Sequence, residues 1–255
     1  MTFDDLTTGA RDRAAAAGEK ARDAAAAAGE RAAAAATVAR EVLVKPRMRG
    51  VVHQWAFFAS LALGAALVVF ASGERARVAV LVYAISLSGL LGTSALYHRV
   101  TWAPEARRRM RKLDHSMIFV LIAGTTTPIA LLAMHGTVST VLLCVVWGAT
   151  IVGIALSLLW IDQPKWLATI IYIVVGCAGV FAIGSLLGSV GVLAVAGIAL
   201  GGVFYITGAV IYAMRRPDPA PAVFGYHEIF HVLVVAAAAV HFGVIAFMIV
   251  PHSGA

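Results

Sequence analysis

Seven apolar segments dominate the chain, near residues 52–72, 78–98, 114–134, 138–160, 167–187, 190–213 and 228–250. Each has about 20 residues, the length an α-helix needs to cross the hydrocarbon core of a bilayer. No water is present there to satisfy backbone N–H and C=O groups, so only helices and closed barrels span it. Strand-like alternation punctuated by turns is missing, which argues against a barrel. The expected fold is therefore all-α, a polytopic bundle of seven transmembrane helices. Of 255 residues, 61% are hydrophobic and 13% charged, and the mean hydropathy is +0.89. Soluble domains carry about 25% charged residues.

The connections are mostly short, so consecutive helices should be antiparallel neighbours. The fifth and sixth segments are divided only weakly, at Gly188-Ser189. Basic residues alternate between the two sides. Lys45, Arg47 and Arg49 precede the first span, and Arg99, Arg107, Arg108, Arg109, Arg111 and Lys112 lie between the second and third. Lys165 follows the fourth, and Arg215 and Arg216 follow the sixth, whereas the alternate connections hold only Arg75 and Arg77. By the positive-inside rule the N-terminus is cytoplasmic and the C-terminus external, in a multi-pass protein of the inner (plasma) membrane. Topology also accounts for the net charge of +7 without a nucleic-acid partner. Cys144 and Cys177 both fall in apolar stretches and are expected as buried packing residues rather than a disulfide.

Residues 1–49 are of different composition from the membrane domain, residues 50–255. Arg11-Asp12 recurs as Arg22-Asp23 and Gly18-Glu19 as Gly29-Glu30, with alanine filling between. An eleven-residue period keeps one alanine face aligned along a helix. The segment reads as an amphipathic helix on the inner leaflet or paired with another copy, or as a solvated, partly helical tail. Alanine buries little area, so its membrane affinity would be weak. It has no apolar core of the kind a signal peptide carries.

Of thirteen acidic residues, only Asp114 and Glu228 fall at the expected spans. Ionisable groups are expensive in a membrane and mark function by default. His98 ends the second span, Asp114 starts the third, and His227 and His231 open the seventh, so all four lie at the cytoplasmic side. Four residues apart on a helix, His227 and His231 project from one face. Ser94 stands in the same relation to His98. Three imidazoles plus one open position are a common arrangement for catalytic zinc, and Asp114 is suited to orient a water and accept its proton.

Ser94-Ala-Leu-Tyr-His98, Lys112-Leu-Asp114-His-Ser-Met-Ile-Phe119, and His227-Glu-Ile-Phe-His231 with His241-Phe242 downstream resemble the hemolysin III proteins of bacteria. Those belong with the progestin and adipoQ receptors, including the adiponectin receptors. The resemblance covers about residues 47–250. It implies a seven-helix fold with a cytoplasmic N-terminus, and zinc held by His98, His227 and His231. It also implies Asp114 bonded to the metal's water, with Ser94 close by. The wider superfamily includes alkaline ceramidases, which hydrolyse a lipid amide, and bacterial members have been tied to membrane lipid homeostasis.

The remaining histidines are expected elsewhere. His241 lies ten residues beyond His231, about 15 Å along a helix, and reads as a packing histidine. His115 points away from Asp114 around the helix, and His53, His135 and His252 are expected to face headgroups or solvent. His227-Glu-Ile-Phe-His231 also matches the H-E-x-x-H pattern of metalloproteases, with Glu228 as general base. The leading reading is a zinc-dependent hydrolase of a lipid amide or ester, with a membrane lipid as substrate or ligand. The alternatives are a non-catalytic receptor or sensor with structural zinc, an intramembrane metalloprotease, and a pore-forming hemolysin.

Overall fold

The computed structural model describes residues 18–33, 35–36 and 45–251. Among them are long helices and no strand, apart from one isolated bridge between Ala220 and Phe224. The elements are α1 (Val51–Phe70), α2 (Glu74–Arg99), α3 (Pro104–Ala133), α4 (Gly136–Leu159), α5 (Lys165–Gly176), α6 (Ile183–Met214) and α7 (Tyr226–Val244). A 3-10 stretch, Cys177–Ala182, joins α5 to α6, and a π-helical turn, Ile245–Ile249, extends α7. Residues 18–33 of the alanine-rich segment are helical and exposed. Ala35 and Ala36 are helical and exposed as well, whereas residues 1–17, 34 and 37–44, together with His252, lie outside the described residues.

Among the described residues, six helices are long and apolar enough to cross a membrane: Val51–Phe70, Glu74–Arg99, Pro104–Ala133, Gly136–Leu159, Trp166–Met214 and Tyr226–Ile249. The count differs from the expected seven because the fifth and sixth segments run on as one stretch of 49 residues. A straight helix of that length would measure about 74 Å, more than twice the roughly 30 Å hydrocarbon core. It is not straight. Gly191 adopts φ 77° and ψ 175°, which no helix contains, just beyond the expected boundary at Gly188-Ser189. Such a backbone is open to glycine because it has no Cβ.

α3 also departs from expectation. It starts at Pro104, ten residues before the expected third span, so the arginine-rich connection is helix rather than loop. Proline at the first helical position and Glu105 in the first turn both favour that start. Its basic turns are tied to the end of α4. Arg111 pairs with Asp162 at 3.0 Å and donates to the Ile161 carbonyl, while Lys112 donates to the Leu158 carbonyl.

The bundle is built as lipid requires. Phe70 is 81% exposed, Leu159 87% and Phe181 96%, positions that would be costly in water but are neutral against acyl chains. Helices approach inside through small residues. A Cβ on Gly64 would meet Ala84 at 2.9 Å, and one on Gly153 would meet the Phe119 ring at 2.5 Å. Ser60 and Ser88 hydroxyls bond across α1 and α2 at 2.9 Å. Cys144 corrects an expectation. It is exposed and Cys177 partly so, both as free thiols, since an apolar stretch in a membrane can face lipid as readily as core.

Successive helices α1 to α4 pack in sequence, α6 packs on α7, and α7 closes against α1. That closure is stapled ahead of both helices. Arg47 N–H donates to the Ala222 carbonyl and Met48 N–H to the Val223 carbonyl, each at 3.1 Å. The starts of α1 and α7 therefore lie side by side, next to the end of α2.

Candidate metal centre

His98 sits in the last turn of α2, and His227 and His231 occupy the first two turns of α7. Their donor nitrogens all lie within 4.8 Å of one another. The ring centroids stand 4.7 Å apart for His98–His227 and His227–His231, and 4.9 Å apart for His98–His231. His98 and His231 are buried and His227 is half-buried. Nitrogens bound about 2.0–2.1 Å from one tetrahedral zinc sit roughly 3.4 Å apart, so small ring movements would seat all three on one ion. The donor set fits such a metal. No fourth His, Cys, Asp or Glu among the described residues joins the group.

Asp114 lies in α3 at 15% side-chain exposure. It hydrogen-bonds the side chain of Ser94, which is buried one helical turn before His98. His115 Nδ1 is 3.8 Å from the Asp114 carboxylate. Tyr172 and Tyr212 are within electrostatic reach of Asp114, and the Tyr212 ring meets His227 edge-on at 5.2 Å. Ser94 and Asp114 thus meet each other beside the histidine group, and Asp114 is not part of it.

Several neighbours were not legible in advance. His53 corrects the expectation that it faces headgroups or solvent. It is 2% exposed and stacks on His231 with centroids 3.9 Å apart and rings 5° from parallel. The closure of α1 on α7 puts it there. Gly50, just before α1, has φ 77°, and a Cβ on it would lie 2.7 Å from the His98 Cβ. Glycine permits both the turn and the contact. For Tyr212 a signal did exist: it ends the expected sixth span, on the same side as His98 and the start of the seventh.

Glu228 is 1% exposed and both its oxygens are engaged. One forms an ion pair with Arg49, and the other accepts the Gly225 N–H at 2.8 Å, tying down the start of α7. Asp218 accepts the adjacent Tyr226 N–H at 3.0 Å. A carboxylate so occupied is a structural clamp, not a general base facing a metal. His241 is buried apart from the group, with Nε2 3.0 Å from the Ile198 carbonyl. His135 is exposed.

These features define a polytopic helical membrane protein with a three-histidine candidate metal centre at one end of the bundle. The chain matches the family described as "Haemolysin-III related" over residues 42–242, and it belongs to that family. It is 28% identical over 184 residues to the hemolysin-3 homolog of Bacillus subtilis (strain 168), covering 71% of this chain and 83% of that protein. It is 29% identical over 176 residues to the hemolysin-3 of Bacillus cereus, covering 69% and 77%.

Proposed function

We propose that this protein is a zinc-dependent hydrolase that cleaves an amide or ester bond in a membrane lipid. The observation carrying this reading is a group of three histidines with no fourth His, Cys, Asp or Glu among the described residues, set beside a carboxylate and a hydroxyl. An open coordination position is the mark of catalytic rather than structural zinc. His98, His227 and His231 would hold the ion. Bound zinc supplies Lewis acidity, polarising an acyl carbonyl and acidifying water. Asp114 would take the proton of the attacking water at its carboxylate, with Ser94 holding that carboxylate in place or donating to the developing oxyanion. The bundle's lipid-facing surface lets an acyl substrate arrive from the bilayer.

The proposed topology has seven crossings of the inner membrane, with Gly191 turning the chain between the fifth and sixth. The N-terminus and the histidine group would lie on the cytoplasmic side, where Lys45, Arg47, Arg99 and the α3 arginines gather. Elemental analysis of purified protein should find near-stoichiometric zinc, and a His227→Ala/His231→Ala double variant should lose it. Asp114→Asn should keep the zinc and lower hydrolysis by about 10²- to 10⁴-fold, the usual cost of a lost general base. The assay is lipidomics of expressing cells, then purified protein with the lipid that changes. If wild type alters no acyl-linked lipid, or Asp114→Asn acts equally well, a sensor with structural zinc replaces the hydrolase.

A further inference from the structure

A second set of polar side chains lies in the bundle interior, away from the histidine group. Tyr83 of α2 is 1% exposed, His241 of α7 is 8% exposed, and Tyr205 of α6 turns a buried hydroxyl inward. The Tyr205 and His241 rings stand 5.6 Å apart, and Tyr83 lies against Phe242, next to His241, at 6.4 Å. Tyr83 and Tyr205 are within electrostatic reach of each other. His241 is ten residues beyond His231, about 15 Å along α7, so it is too far to share an ion with that group.

The chemistry of the three is complementary. His241 Nε2 is 3.0 Å from the Ile198 carbonyl, so that nitrogen carries the proton and donates it. Nδ1 is left as an acceptor. The ring packs against Gly201 of α6, where a Cβ would come within 2.2 Å of Nε2. Nδ1, the Tyr83 hydroxyl and the Tyr205 hydroxyl are all buried without a hydrogen-bond partner among the described residues. In a bilayer interior such groups are costly unless something satisfies them. Three helices each contribute one. A guest hydroxyl can donate to Nδ1 while accepting from a tyrosine, and three partners fall in the range that a buried water takes.

We propose that Tyr83, Tyr205 and His241 form an internal site for a neutral hydroxyl-bearing guest, either water or a hydroxyl carried on a lipid. The guest joins α2, α6 and α7 in the apolar interior. Its test is independent of zinc and of hydrolysis. Tyr83→Phe and Tyr205→Phe remove one oxygen each and keep the ring. Heat scans would compare them with wild type in nanodiscs of pure phosphatidylcholine, which carries no hydroxyl, and in nanodiscs of total lipid from the producing cells.

A filled site predicts that each variant lowers the Tm by about 2–4 °C, the shift expected for one lost buried hydrogen bond in a chain of this size. The double variant should fall by less than the sum of the two singles, because the guest is shared. Falls in both lipids identify water; falls only in the cell lipid identify a lipid hydroxyl. No fall in either lipid, a rise on losing an unsatisfied oxygen, or a strictly additive double variant overturns the proposal.

Discussion

Glu228→Ala separates two readings of the same four-residue histidine spacing. In the structure Glu228 is 1% exposed, paired with Arg49, and accepting the Gly225 N–H. Breaking a buried ion pair costs about 3–5 kcal/mol. Arg49 is 22% exposed and can turn to water, so the lower end applies, about 3 kcal/mol. The lost cap would add about 1 kcal/mol if independent. It shares the carboxylate with the ion pair, so the total stays near 3–4 kcal/mol. At about 2–4 °C per kcal/mol for a chain of this size, the Tm should fall by roughly 6–16 °C. The assay is a heat scan of purified protein, with and without chelator. The fall should persist in metal-stripped protein, because the clamp contains no metal. A Tm within about 1 °C of wild type, with hydrolysis abolished, would refute the clamp and restore Glu228 as a metalloprotease-type base.

Gly50→Ala should destabilise by about 1–2 kcal/mol through its left-handed backbone and weaken zinc retention by pushing on His98; unchanged chelator competition would contradict that packing. His53→Ala should weaken zinc about 10-fold by unseating His231, and His53→Phe should restore most of it, since the stacked face matters rather than the ring nitrogens. His241→Ala should leave zinc stoichiometry unchanged, as measured by elemental analysis. In a chain lacking Cys144 and Cys177, an impermeant thiol reagent on intact cells should label Arg75→Cys and spare Lys20→Cys; the reverse pattern would invert the topology.

The sequence alone determined the parts set by hydrophobicity and by position along a helix. Segment length and apolar content marked the helices, because lipid forces each span to satisfy its own backbone. The order of the spans put His98, Asp114, His227 and His231 at one end, because alternate helix ends share a side of the membrane. The identity of those side chains then suggested their chemistry. Hydropathy was weaker where polarity and helicity part company. It read the arginine turns before Asp114 as a connection, and it could not show that a 3-10 segment and Gly191 both interrupt the 49-residue stretch.

Only the tertiary structure decided what meets what across helices. Arg49 finds Glu228, 179 residues away, because backbone hydrogen bonds staple residues 47 and 48 to residues 222 and 223. The same staple brings His53 onto His231, where it is buried. Tyr83, Tyr205 and His241 come from three separate spans. A hydropathy pattern reports depth along a helix but says little about its rotation or its neighbours when the surroundings are lipid. Lipid and core are equally apolar, so the pattern does not distinguish the face of a helix that turns outward from the face that turns in.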